Sequence, residues 1–119
     1  MTPSTGLVAF VAAEHAAFFV LEFFLFQTPL GLRVFKLTPE AAKAAAVLAA
    51  NQGVYNAFLA AGLVWSLRAA PPQAFALKVF FLACVAVAGV VGGATASRSI
   101  FFVQALPALI ALALLRAGL

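Results

Sequence analysis

Four apolar runs, each close to the length of a membrane crossing, constrain this chain more than any other feature. They extend from Gly6 to about Phe26, from about Ala41 to Leu67, from about Phe75 to Ala96 and from about Ile100 to Leu115. A helix needs about 20 residues, within a range of about 17–25, to cross a bilayer. Lipid offers the backbone no hydrogen-bond partner, so each run is expected to be helical. The expected fold is all-α: one four-helix transmembrane domain, residues 1–119, in antiparallel up-down-up-down order. Its helices are expected at about 6–27, 39–68, 74–96 and 99–116.

The breaks between the runs agree with this reading. Gln27-Thr28-Pro29-Leu30-Gly31 ends the first helix with Pro and Gly. Thr38-Pro39-Glu40 starts the second, with Thr as N-cap, Pro at the first helical position and an acid in the first turn. Ala70-Pro71-Pro72 separates the second and third helices, and Ser97-Arg98-Ser99 makes a short last turn. Composition removes the competing classes. Hydrophobic residues are 66% of the chain and charged residues 8%, against about 45–50% and about 25% in soluble domains. Mean hydropathy is +1.17. A soluble globular domain, a disordered segment and a nucleic-acid binder are all excluded by this balance. The first run reads as a span and not as a signal peptide. It has no basic leader, and Glu14, His15 and Glu22 interrupt it.

The net charge of +4 comes from seven cations scattered singly beside the apolar runs, where side chains reach lipid phosphate. Membrane lipid is therefore the expected partner, and the expected location is the cell (inner) membrane, crossed several times. Four spans put both termini on one side. That side carries Arg68, Lys78 and Arg116, and the other carries Arg33, Lys36, Lys43 and Arg98. Three against four does not set an orientation. The single Cys84 excludes an intramolecular disulfide and reads as a small buried thiol.

Helices in lipid are held by close packing and small residues. Ala45, Ala49, Gly53, Ala57 and Ala61 recur at i, i+4 in the second helix, and Gly89 and Gly93 form a GxxxG pair in the third, extended by Ala86 and Ser97. These are the expected contact faces.

Polar residues within the spans carry the chemistry. At about 100° per residue, Glu14, His15 and Glu22 fall within an arc of about 100° on the first helix, with Phe18 between them. Asn51, Gln52, Tyr55 and Asn56 share one side of the second helix. Helix four adds Gln104, and Pro107 withholds a donor from the carbonyl of Val103. An ion at mid-bilayer costs about 2.5–3.5 kcal/mol or more, so such residues face a bundle interior. The Glu14–His15–Glu22 face is thus expected to meet the Asn51–Asn56 face, with Tyr55 internal and Trp65 at the membrane interface. At least one of the two glutamates is expected to be uncharged. No metal site is expected, because the i, i+4 His pair that makes such motifs specific is absent. No cofactor is expected either.

Three segments carry a resemblance: Glu14-His15 with Leu21-Glu22-Phe23-Phe24-Leu25-Phe26-Gln27-Thr28-Pro29, Val34 to Glu40, and Leu48 to Leu63 with Asn51-Gln52-Gly53-Val54-Tyr55-Asn56 at its centre. Together with Gly92-Gly93-Ala94-Thr95 and Val103 to Ala108, the chain resembles the small bacterial membrane proteins of domain-of-unknown-function family 1304. It departs from that pattern at Phe26, where a Trp is expected. The resemblance implies a four-span membrane protein. It also places Glu14, His15, Glu22, Asn51, Gln52, Tyr55, Asn56 and Gln104 in the family's characteristic pattern. The family brings no established activity, although some members bear the label epimerase.

Three functional readings follow from residue type. The first is a polar intramembrane site for a small or lipid-like ligand. There Glu14, Glu22 and His15 serve as acid or base, and Asn51, Gln52, Tyr55, Asn56 and Gln104 bind the ligand; isomerisation or epimerisation would need no further groups. The second is a small transporter or channel protomer, which would require a homo-oligomer, since four short helices enclose little space. The third is a structural or accessory subunit in which the same residues form a closed hydrogen-bonded network.

Overall fold

The computed structural model describes residues 1–119. The chain is all-α. Four helices are long and apolar enough to cross a membrane: α1 (Pro3–Phe23), α3 (Pro39–Arg68), α4 (Gln73–Thr95) and α5 (Arg98–Arg116). A short helix, α2 (Pro29–Phe35), lies between the first two. By its contacts the chain divides into two compact units, Met1–Ala13 with Leu59–Leu119, and Glu14–Phe58.

In the first unit all four long helices contribute to one core. Val8, Val11 and Ala12 of α1 pack with Leu63 of α3, Leu82, Val85 and Ala86 of α4, and Ala108 and Ala111 of α5. The small residues of α4 make the close approaches expected of them. A Cβ on Gly89 would lie 2.5 Å from the backbone nitrogen of Ala105, and one on Gly93 would lie 2.6 Å from the Cβ of Phe101. Ser66 and Thr95 satisfy their hydroxyls on carbonyls of their own helices, at Leu63 (2.6 Å) and Val91 (2.7 Å). The amide of Ser4 reaches the carbonyl of Leu119 at 3.4 Å, which puts both termini at one end.

α5 is not regular throughout. Phe101–Ala105 is π-helical, and the Leu106 amide donates to the carbonyl of Phe101. Pro107 lies just downstream. It lacks the N–H that would close an α-helical bond to Val103, and the wide turn redistributes the remaining donors.

The second unit holds the rest of α1, α2 and the first part of α3. Phe26, Ala42 and Ala49 form its core, with Leu32, Phe35 and Leu37 packed against them. Phe26 is buried, and its ring meets that of Phe35 with centroids 5.3 Å apart and planes tilted by 48°.

The first helix ends earlier than residue 27. The amides of Phe24 and Leu25 both donate to the carbonyl of Val20, which closes the helix. Thr28-Pro29 then starts α2. The hydroxyl of Thr28 accepts from the Gly31 amide at 3.3 Å and donates to the Leu25 carbonyl at 2.6 Å. Any side chain on Gly31 would strike the carbonyls of Leu25 and Phe26, so only glycine lets α2 fold back this tightly. Lys36, at φ 56°, ends α2 in the left-handed conformation. Thr38 caps α3 as its sequence indicates, accepting from the Ala41 amide at 3.1 Å.

Candidate functional site

The second unit contains seven of the eight candidate residues, and α1 and α3 position them by running antiparallel. Gly53 sets the register. A Cβ there would lie 3.1 Å from the Cβ of Glu22 and 3.4 Å from both the Phe19 carbonyl oxygen and the Phe23 nitrogen. With the backbones this close, Glu22 and Asn56 face each other. The Asn56 Nδ2 donates to the Glu22 Oε1, and the two residues are only 9% and 8% exposed. One amide from the second apolar run thus meets one carboxyl from the first.

His15 is 0% exposed and meets the edge of Phe18, with ring centroids 5.2 Å apart at 70°. Glu14 is half-buried; its Oε1 is fully buried and receives no hydrogen bond. Glu14 and Glu22 are eight residues apart, about 12 Å along the axis at about 1.5 Å per residue. The two carboxyls therefore cannot act on one bond as a pair. Glu22 is engaged by Asn56, whereas Glu14 beside His15 presents a carboxyl oxygen to the interior.

Three residues expected inside are outside. Asn51, Gln52 and Tyr55 are all exposed, Tyr55 to 59%. The reason is register. With Gly53 turned towards α1, Asn56 lies about 60° from it, Gln52 about 100°, and Asn51 and Tyr55 about 160° away on the far side. The four-residue stripe fails for the same reason at Ala61, which is exposed. The buried positions of α3 instead include a series at every seventh residue, Ala42, Ala49, Asn56 and Leu63, with Gly53 and Ala60 between them at steps of four and three. A 3.5-residue average, unlike a strict step of four, keeps one face towards a neighbour along a long helix. The same 3.5-residue spacing also passes through Asn51 and Tyr55, so spacing alone does not select Asn56.

Gln104 lies in the other unit, half-buried in the π-helical stretch of α5. Gly53, whose lack of a side chain permits the Glu22–Asn56 contact, belongs to the candidate site but carries no chemical group that would mark it.

A family model described as protein of unknown function, DUF1304, matches residues 9–116. No curated protein and no solved structure matches the chain.

Proposed function

The chain belongs to the DUF1304 family of proteins of unknown function, and for this multi-pass membrane protein we propose a polar intramembrane site that binds a small or lipid-like ligand at Glu14 and His15. One observation carries the reading: the Glu14 Oε1 is fully buried and accepts no hydrogen bond from the chain. A buried polar atom without a partner costs about 1–3 kcal/mol, so a ligand that donates a hydrogen bond there recovers that free energy. The imidazole of His15, fully buried one residue further on, adds a group that can hold or move a proton. Proton transfer, as in a double-bond isomerisation or an epimerisation, is the chemistry this pair can supply. Glu22 is then a positioning residue, held by Asn56 and fixing α1 against α3. The cell (inner) membrane is the proposed location.

Native mass spectrometry from nanodiscs tests this. The wild type is expected to carry a co-purifying small or lipid-like molecule. Glu14→Leu, which removes the acceptor and keeps an apolar side chain of similar size, is expected to lose that molecule while the protein stays folded. An empty wild type, or equal retention by Glu14→Leu, would overturn the site.

The structural reading has its own support in the direct Glu22–Asn56 hydrogen bond. A pair closed upon itself is what a lock between two helices requires. On that reading Glu14→Leu is silent and only Glu22 and Asn56 matter.

A further inference from the structure

The outer face of α3 repeats the spacing of its inner face. With Asn51 at 0°, Ala44 lies at about 20°, Tyr55 at about 40°, Leu48 at about 60° and Phe58 at about 340°. The inner residues Ala42, Ala49, Gly53 and Asn56 lie between about 140° and 200°, on the opposite side. The outer residues alternate in steps of four and three, Ala44, Leu48, Asn51, Tyr55, Phe58. All five are exposed, Leu48 to 74%. This is the 3.5-residue seam by which one helix packs along another, a series of Ala, Leu, Tyr and Phe with a single asparagine among them.

Asn51 makes the seam informative. It is about 4 Å from the midpoint of a helix about 45 Å long, at about 1.5 Å per residue, and its amide makes no hydrogen bond within the chain. Acyl chains offer it none. A side-chain amide both donates and accepts, so it is complementary to itself. Two copies inserted with the same topology have parallel α3 helices, and a two-fold axis along the membrane normal brings equivalent residues to the same depth. A lone asparagine in such a seam specifies a two-stranded parallel pairing in register.

We propose that the outer face of α3 is a homodimer seam, in which Leu48, Tyr55 and Phe58 pack against their counterparts in a second copy and Asn51 hydrogen-bonds its own counterpart. The occupant is a second copy because the group to be satisfied is one the same group satisfies. The seam lies on the opposite side of α3 from the Glu22–Asn56 contact, and it does not depend on the ligand reading.

The test uses the purified full chain in liposomes. In a Cys84→Ser background, Ala44→Cys and Leu48→Cys are expected to give a disulfide-linked dimer on mild oxidation. Val20→Cys, exposed on α1, is expected to give none. Energy transfer between labelled copies is expected to rise with the protein-to-lipid ratio. Asn51→Leu is expected to weaken association about three- to thirtyfold, the range for loss of an interhelical polar contact. Asn51→Gln, which keeps the amide, is expected to retain most of it. Asn51 supports nothing inside its own chain, so its removal leaves the fold intact, as circular dichroism would confirm. Energy transfer no higher than for non-interacting spans, cross-linking at Val20→Cys equal to that at Leu48→Cys, or association indifferent to Asn51→Leu would each overturn the seam.

Discussion

At Glu22 and Asn56 neither partner can be removed alone without exposing the other. Replacing Asn56 by Leu leaves a buried carboxyl without its amide donor, and replacing Glu22 by Leu leaves a buried amide without its acceptor. Each single change is expected to cost about 1–3 kcal/mol, because the desolvated partner loses its hydrogen bond. The double replacement is expected to cost less than the sum, because two apolar side chains of similar size can pack where the polar pair stood. Reversible unfolding in mixed micelles, on the wild type, both singles and the double, measures the difference. Purely additive costs would show that the pair is not coupled. The sequence supplied the identities of these residues but not their partnership. Four polar side chains on α3 competed for the inward position. The deciding fact is the close approach at Gly53, which turns Asn56 in and Asn51 and Tyr55 out. A glycine's absence of side chain announces a contact without saying with what.

Among the elements, α4 and the π-helical stretch of α5 depend on each other. The Gly89 position would bring a Cβ to 2.5 Å from the Ala105 nitrogen, 2.8 Å from its Cβ and 2.9 Å from its Cα. Two of these three atoms are backbone and cannot rotate away. Gly89→Ala is therefore expected to destabilise by about 1–3 kcal/mol, the usual cost of overpacking. Gly6→Ala is the control: the nearest atom to its Cβ would be the Met1 sulfur at 3.6 Å, an ordinary contact. There the better helix propensity of Ala should leave stability unchanged or slightly raised. Equal effects of the two substitutions, in the same unfolding measurement, would contradict the packing. The GxxxG pair was legible in the residue order alone, since small residues at that spacing have few other uses in a membrane helix. The π-helical stretch was half legible. Pro107 shows that the bond to Val103 must be lost, but the repair depends on the donors upstream. The seven residues of α2 were obscured for a different reason. Thr28-Pro29 and Thr38-Pro39 are the same start signal, yet the first sits among residues that also end a helix, and a proline after an apolar run reads equally as a stop.

For the molecule as a membrane protein, the length of α3 sets the depth of everything attached to it. Its 30 residues extend about 45 Å, against a hydrocarbon core of about 30 Å. Arg68 ends the helix, and a guanidinium at a span's end reaches for the headgroups. With that end at one interface, hydrocarbon occupies about twenty residues, back to about Leu48. The remainder, with Glu40 and Lys43, then lies at the opposite interface. The α2 segment precedes it and carries Arg33, which is exposed along with Leu30 and Val34. One placement thus satisfies the charges at both ends of α3. It also fixes Trp65, which lies three residues before Arg68 and is 53% exposed. An indole with one polar edge and an apolar body is most stable at the headgroup boundary. As Trp65 is the only tryptophan, its fluorescence reports this depth directly. Lipids carrying a quencher near the glycerol backbone are expected to quench it more strongly than lipids carrying one near the acyl terminus. Stronger quenching from the acyl terminus would place residue 65 near the bilayer centre. α3 would then have to slide by about half a bilayer thickness, carrying Arg68 into hydrocarbon.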